Sequence, residues 1–249
     1  TGPSHLSTAL LVGEPRADGT REAGLVIDVA PGWKTYWRNP GEAGVPPRFD
    51  WSGSDNLAEV HIRWPRPIAF ESFGMRTLGY AGRVVLPLTL VPENAEDPVA
   101  LGLEAEFGVC RDICIFEEAR LARKIGPAAP ADAGAGRVLA AAEAAVPPPG
   151  REAGVRVLAC RIAGAGADRD FSARLAVPEA AGEPIVVLEG TAETWFRGQS
   201  VDRSPGHLEI SATLSTAAPG AWVSRDDVRI TLLAPGFAAD VEGCRGTDD

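Results

Sequence analysis

The sequence VALGLEAEFGVCRDIC runs from Val99 to Cys114. Apolar residues alternate with small or acidic residues as far as Phe107, and a period of two over this length predicts a half-buried β-strand. A second strand is expected to follow over residues 115–125, so that the chain folds back on itself. The segment therefore predicts a β-hairpin that carries two cysteines, Cys110 and Cys114, at its turn.

The spacing of the two cysteines constrains the turn. A disulfide brings two Cα atoms to roughly 4.4–6.8 Å, whereas four residues of straight strand span roughly 13 Å. If Cys110 bonds to Cys114, residues 111–113 must turn, and Asp112 is the residue there that best tolerates left-handed or Asx-turn geometry. Such a small ring adds little loop-entropy stabilisation, which suits a bond that opens and closes. A structural hairpin disulfide is the alternative interpretation of the pair on its own.

The composition limits the class of protein. The chain has 249 residues, enough for two domains, and a formal net charge of −10. This charge argues against binding to nucleic acid or to an anionic membrane surface, and the sequence has no run of 18 apolar residues that could span a bilayer. Its three histidines, His5, His61 and His207, are scattered, so no metal site or other cofactor is expected. Four cysteines fit an oxidising compartment.

The remaining patterns predict an all-β protein of two domains. Residues 1–125 contain short alternating runs separated by Gly, Pro and Asn, which is typical of a β-sandwich. Residues 126–150 begin and end with proline-rich sequences and contain an Ala-rich segment, Arg137–Ala145, so they predict an interdomain linker with one short helix. Residues 151–249 return to β patterning and predict a second β-sandwich-like domain.

Several motifs of the first half occur in a defined order. They are Pro31–Gly41 (PGWKTYWRNPG), Pro46–Trp51 (PPRFDW), Trp64–Pro67 (WPRP), Gly79-Tyr80 with Leu86–Leu88 (LPL), and the pair Cys110 and Cys114. In this order and spacing, residues 1–125 resemble the N-terminal periplasmic (alpha) domain of the DsbD/ScsB family of transmembrane thiol:disulfide reductases. The three-residue spacing between the cysteines and the two-part chain are more similar to ScsB, the copper-tolerance branch.

The resemblance implies an immunoglobulin-like redox domain that transfers electrons. Electrons would arrive through a membrane domain and the reductase's own thioredoxin-like domain, and would pass to thioredoxin-fold partners in the periplasm through transient mixed disulfides. Cys114 is expected to join to the partner and Cys110 to resolve the intermediate, an assignment that the residues alone leave open. The chain is thus expected to be the soluble periplasmic part of an inner-membrane protein-disulfide reductase.

The resemblance also implies a cap loop over the cysteine pair. The matching stretch is Phe70–Met75, in which Phe73 is expected to cover the cysteines and Glu71 to occupy the acidic position. Tyr36 matches an aromatic residue that lies near the pair. Phe116 departs from the family pattern, since many members have proline after the second cysteine.

The first half is rich in aromatic residues beyond Tyr36. Trp33, Trp37 and Trp51 form a cluster with it in the sequence. We expect most of them to serve core and loop packing, with a docking surface for a partner as the alternative. Lys34 and Arg38, which lie within the cluster, are expected to be solvated.

The other two cysteines, Cys160 and Cys244, lie near the start and the end of the second domain. First and last strands are often neighbours in sandwiches, so these cysteines predict a structural disulfide. Closing such a long loop contributes on the order of 4 kcal/mol in the chain-entropy model of disulfide stabilisation.

Two other functions fit parts of the sequence. The thiolates of Cys110 and Cys114 are soft ligands that suit Cu(I), so a periplasmic copper-binding module is one alternative, although the chain has one methionine and no histidine near the pair. A non-catalytic β-sandwich adaptor with an inert disulfide is the other. The reduction potential separates the adaptor from a redox domain, because inert structural disulfides lie below about −300 mV.

Overall fold

Residues 4–72 and 74–246 are described by the structure, a computed structural model of the chain. Strands dominate these residues, and contacts between them divide the chain into two units, residues 1–146 and 147–249. No helix among the described residues is long and apolar enough to cross a membrane.

The first unit is built from two antiparallel sheets. Its described strands are β1 (Leu6–Pro15), β2 (Arg21–Val29), β3 (Lys34–Gly41), β4 (Arg48–Asp50), β5 (Glu59–Ile62), β6 (Ile68–Ser72), β7 (Met75–Tyr80), β8 (Arg83–Val91), β9 (Val99–Cys110) and β10 (Cys114–Ile125). One sheet has the order β1-β2-β8-β5, and the other has the order β10-β9-β3-β7-β6 with β4 paired to β9. Both sheets bury large apolar side chains, Leu25 and Leu86 from the first and Trp37 and Phe107 from the second.

β9 and β10 form the hairpin that the alternating pattern predicts. They pair without a register shift, from Val99 opposite Ile125 to Cys110 opposite Cys114. Phe107 is fully buried. Because side chains alternate along a strand, Cys110 and its partner Cys114 lie on the other, outer face of the sheet. β10 is the edge strand, so Cys114 lies at the border of the sheet.

The segment 126–146 packs onto the first unit. Its helix, α1 (Ala135–Ala144), buries Ala135 and Leu139 beside Val26 and Val85 of the first sheet. Leu139 fills the space above Gly13 and Gly24 in β1 and β2, where an added Cβ would lie 2.7 Å from its methyl groups. The helical part of the segment expected as a linker therefore contributes to the packing of the first sandwich.

Two charged side chains attach this segment to the sheets. Arg21, which is 6% exposed, donates to backbone carbonyl oxygens within residues 126–129. Asp132 accepts a hydrogen bond of 2.8 Å from the backbone N–H of Val12 and further bonds from the guanidinium of Arg123. The Arg123 hydrogen bonds lower the pKa of Asp132 below its ordinary value.

The second unit also contains two antiparallel sheets. Its strands are β11 (Arg156–Ala163), β12 (Asp168–Ala176), β13 (Ile185–Glu189), β14 (Thr194–Ser204), β15 (His207–Thr216), β16 (Arg229–Ala234) and β17 (Phe237–Glu242), with short 3-10 helices at Glu179–Ala181 and Arg225–Asp227. The sheet orders are β11-β12-β15-β14 and β13-β16-β17. The prediction of an all-β fold, an immunoglobulin-like sandwich followed by a second sandwich, is confirmed.

Cys160 and Cys244 form a disulfide inside the second unit, with Cα atoms 5.6 Å apart. Cys160 lies in β11 and Cys244 follows β17. These two strands belong to different sheets, so the expectation that the first and last strands are neighbours is wrong. The bond joins the two sheets instead, and both cysteines are buried.

The Asp132 contacts predict a pH-dependent contribution to stability. The folded-state pKa of Asp132 lies below its ordinary value of 3.8, so the carboxylate stabilises the fold above that value and loses its effect as the pH falls through the folded pKa. Asp132→Asn should therefore lower the free energy of unfolding by about 1 kcal/mol at neutral pH. The difference from wild type should shrink toward about pH 3.

Thermal unfolding across this pH range measures the effect. Asp170→Asn is the matched control, since Asp170 is exposed and lies in the second unit. A difference that persists unchanged at acid pH would show that the Asp132 charge contributes nothing.

Candidate functional site

The turn between β9 and β10 closes on the first disulfide. Cys110 and Cys114 are bonded, with Cα atoms 4.1 Å apart, and the backbone N–H of Arg111 donates to the carbonyl oxygen of Ile113 at 3.1 Å. Asp112 does not adopt the left-handed conformation. Among the described non-glycine residues, Asn56 alone has a positive φ. Its carboxylate instead accepts a 3.0 Å hydrogen bond from Arg111.

The two cysteines differ in exposure. Cys110 is 3% exposed, whereas Cys114, at the start of the edge strand, is an exposed residue. A thiol can attack a disulfide in another protein only if its sulfur is accessible. The two cysteine residues therefore differ in their access to solvent, since Cys114 is exposed and Cys110 is buried.

Tyr36 covers the inner sulfur. β3 pairs with the end of β9 through Lys34 opposite Cys110, which places Tyr36 beside the disulfide. The ring is buried, and its hydroxyl lies 2.9 Å from Cys110 Sγ and 3.6 Å from Cys114 Sγ. Since disulfide sulfurs carry no hydrogen, the hydroxyl is the donor in the oxidised protein. Tyr36 was expected near the pair, and the structure places it in contact with both sulfurs.

Two glycines make room for the Tyr36 ring. A Cβ added to Gly44 would lie 2.3 Å from the ring, and one added to Gly108 would lie 3.1 Å from it. Gly44 also has a φ of +115°, which is accessible to glycine. The ring is therefore held between two backbone segments, and neither contact is signalled by a sequence motif, because each depends on how the chain folds around Tyr36.

Phe70 is the cap-loop aromatic that the structure describes next to Tyr36. The two rings stack with centroids 6.3 Å apart, and Lys34 Nζ lies 4.4 Å from the Phe70 ring centroid. Lys34, which was expected to be solvated, is half-buried, and its ammonium group contacts an aromatic face. Glu71 is exposed in β6, opposite Arg76 of β7. Phe73, the residue expected over the cysteines, lies outside the described residues.

Trp33 supports the turn from the other side. It is 7% exposed, its ring stacks on His5 with centroids 3.9 Å apart, and the guanidinium of Arg111 lies 5.2 Å from the ring centroid. Trp37 is fully buried and Trp51 is half-buried. The tryptophan cluster therefore serves mainly to pack the core and the turn.

Two exposed apolar side chains lie next to Cys114 along the hairpin. Ile113, in the turn, is 63% exposed, and Phe116, two residues after Cys114 on the same face of β10, is 73% exposed. Large apolar side chains this exposed are typical of surfaces that contact another protein. Within residues 4–72 and 74–246, no group of three or more His, Cys, Asp or Glu residues is placed to hold a metal ion.

The fold and the site together define a thiol-disulfide exchange domain built on a β-sandwich. A family model described as Thiol:disulfide interchange protein DsbD, N-terminal, matches residues 8–125. The crystal structure of the N-terminal periplasmic domain of ScsB from Proteus mirabilis superposes with a TM-score of 0.70 at 21% identity, covering 98% of this chain and 94% of that chain. At this identity the likeness shows a shared fold. No curated protein matches the chain.

Residues 8–125 match the family model of DsbD N-terminal domains and the chain shares its fold with a ScsB N-terminal domain, so the resemblance that the sequence motifs predicted is confirmed. The match to the family model ends with β10 at residue 125. For residues 126–249, the likeness to the ScsB domain is a likeness of fold. The ScsB domain covers both units of this chain, which makes the two-part architecture a shared feature of the two proteins.

The Tyr36 contact predicts an effect on thiol ionisation. In the reduced protein the phenol can donate to a Cys110 thiolate and favour the charged form. With Cys114 replaced by Ala to isolate one thiol, Tyr36→Phe should raise the pKa of the Cys110 thiol. Thiolate absorbance measured against pH reports the change. Tyr80→Phe is the control, since Tyr80 is the other tyrosine and its hydroxyl donates to the Pro65 carbonyl oxygen. Equal titration curves in all variants would contradict the role of Tyr36.

Proposed function

We propose that this chain is the periplasmic electron-transfer domain of a membrane-bound protein-disulfide reductase. In this function the Cys110/Cys114 dithiol accepts electrons from the reductase's own thioredoxin-like domain and passes them to thioredoxin-fold proteins of the periplasm. The family of residues 8–125 and the fold shared with a periplasmic ScsB domain support the proposal. The two disulfides also suit an oxidising compartment.

The observation that carries the proposal is the unequal exposure of the two cysteine residues. Cys114 is exposed beside Ile113 and Phe116, whereas Cys110 is buried under Tyr36. A purely structural disulfide would not become more stable by having one exposed cysteine beside the exposed side chains of Ile113 and Phe116. A redox pair needs this arrangement, because one sulfur must meet the partner while the other must stay close and shielded.

The exchange reaction follows from this arrangement. In the reduced protein the Cys114 thiolate attacks one sulfur of the partner's disulfide, forms a mixed disulfide and releases the partner's other sulfur as a thiolate. The Cys110 thiolate then attacks Cys114 Sγ, which restores the intramolecular disulfide and releases the partner with two thiols. Two electrons pass to the partner, and the proton lost from each attacking cysteine is balanced by one taken up by each partner thiolate.

Recharging the domain is the reverse sequence. A thiolate of the thioredoxin-like domain attacks the accessible Cys114 sulfur, and Cys110 leaves as a thiolate. The Tyr36 hydroxyl, 2.9 Å from Cys110 Sγ, is placed to stabilise that leaving group by hydrogen bonding. The same residue thus assists the step that opens the disulfide and shields the resolving sulfur between turnovers.

A trapping experiment tests the assignment of the cysteines. Cys110→Ala leaves Cys114 able to form a mixed disulfide that cannot be resolved, so this variant should accumulate covalent complexes in a periplasmic extract of the source organism. Cys114→Ala is the matched control and should accumulate few complexes, because the remaining sulfur is buried. Non-reducing electrophoresis followed by mass spectrometry identifies the captured proteins. Equal trapping by both variants would refute the assignment, and capture without any thioredoxin-fold protein would refute the proposed partner class.

The captured partner can be used to test whether the exposed side chain of Phe116 contacts it. Phe116→Ser should slow reduction of the oxidised partner by about tenfold, since exposed aromatic residues contribute strongly to protein contacts. It should leave the reaction of the reduced protein with the small disulfide DTNB unchanged. Stopped-flow thiol kinetics compare the two rates, with Val201→Ser as a control at an exposed apolar residue of the second unit. Equal slowing with both oxidants would mean that Phe116 acts on the thiols themselves.

A further inference from the structure

The second unit has a concave surface whose lining includes neither Cys110 nor Cys114. It lies on the outer face of the sheet β11-β12-β15-β14 and encloses about 1090 Å³. Arg161, Arg174 and Glu209 are exposed on this face, and residues 222–225 together with Arg245 form one border. We call this surface the arginine cavity.

Charge is concentrated in the arginine cavity. Residues 147–249 contain ten arginines and no lysine, and five of these arginines line the cavity. They are Arg161, Arg169, Arg174, Arg225 and Arg245. Two carboxylates, Asp202 and Glu209, line it with them, although residues 147–249 contain more acidic than basic residues. The cavity is therefore a positive region on an acidic protein.

Several of these arginines lack a carboxylate partner. The side chains of Arg161 and Arg174 make no hydrogen bond or ion pair with any residue in the described ranges 4–72 and 74–246. Arg169 donates to the carbonyl oxygens of Gly166 and Ala221. Glu209 lies opposite Arg174 in the β12–β15 ladder but forms no ion pair with it, so the guanidinium groups of Arg161 and Arg174 retain their donors for a ligand.

The border of the cavity is held in place by covalent and polar contacts. Cys160, which lines the cavity, is bonded to Cys244, and Arg225 donates to the Cys160 carbonyl oxygen at 3.1 Å. Arg245 pairs with Asp226. A site whose walls are fixed before binding loses less conformational entropy when a ligand arrives.

Trp222 indicates the type of ligand. It borders the cavity and is 90% exposed, the largest exposure among the apolar side chains described as exposed. Arginine and tryptophan are the residue types most enriched at the energetic centres of protein interfaces. We propose that the arginine cavity binds an acidic segment of a partner polypeptide, whose carboxylates contact Arg161 and Arg174 while an apolar side chain packs on Trp222.

The composition of the cavity favours carboxylates over a polyphosphate. Asp202 and Glu209 repel a continuous row of phosphate charges, whereas a polypeptide can space its carboxylates to avoid them. The net charge of −10 disfavours non-specific attraction of any polyanion to the rest of the chain. Binding of a polyanion would therefore report on this cavity.

Titration of the full chain with poly-L-glutamate tests the proposal. Binding, measured by isothermal calorimetry and by tryptophan fluorescence, should weaken by about tenfold or more in the double variant Arg161→Ala/Arg174→Ala. It should also weaken in Trp222→Ser and at high salt, where exposed charges are screened. The matched control is Arg151→Ala/Arg156→Ala, which removes two exposed arginines of the same unit outside the cavity and should change affinity less than about twofold.

Each other outcome overturns the proposal. Absence of binding to poly-L-glutamate at low salt would show that the cavity is not an acidic-peptide site. Equal loss in both double variants would show that charge in general, and not this cavity, attracts the probe. Tighter binding of polyuridylate than of poly-L-glutamate would show that the preferred ligand carries phosphates. Circular dichroism spectra that are the same in all variants show that any loss of affinity comes from the substituted side chains and not from unfolding.

Discussion

The unshifted pairing of β9 with β10 is the constraint on which the redox site depends. It places Cys110 opposite Cys114 on the outer face of the sheet, while Phe107 and its neighbours on the other face fill the core. A slip of one residue would turn every side chain of a strand to the opposite face. Burial of the inner face of β9 therefore fixes which residues face outward, including the two cysteines. In this way hydrophobic packing sets the geometry of the disulfide.

Around this hairpin, each further part of the site comes from another strand. β3 brings Tyr36 to the sulfurs, and β6 brings Phe70 to Tyr36. Glu117 of β10 accepts backbone N–H bonds from His5 and from Leu6 at the start of β1. The site is thus a product of the sheet order, since strands distant in sequence become neighbours there. This arrangement gives a buried and an exposed sulfur within a single hairpin.

Local patterns predicted the hairpin, the alternating strands and the family, because these depend on residues close together in sequence. The contacts of Gly44 and Gly108 with Tyr36 were not predictable, since they join residues on separate segments. The packing of Leu139 on Gly13 and Gly24 escaped prediction for the same reason, so residues 126–150 were expected as a linker with one short helix. The clustering of Arg161, Arg174 and Arg245 likewise arises from sheet pairing and from the border near Cys244, not from any motif.

The hairpin specifies the position of the cysteines twice. Backbone pairing runs the full length of β9 and β10 and ends with Cys110 opposite Cys114, and the S–S bond joins the same two residues. The long ladder therefore carries most of the work of bringing the two ends of the turn together, and the small ring of the disulfide adds little to it. The S–S bond is thus placed where the fold depends on it least.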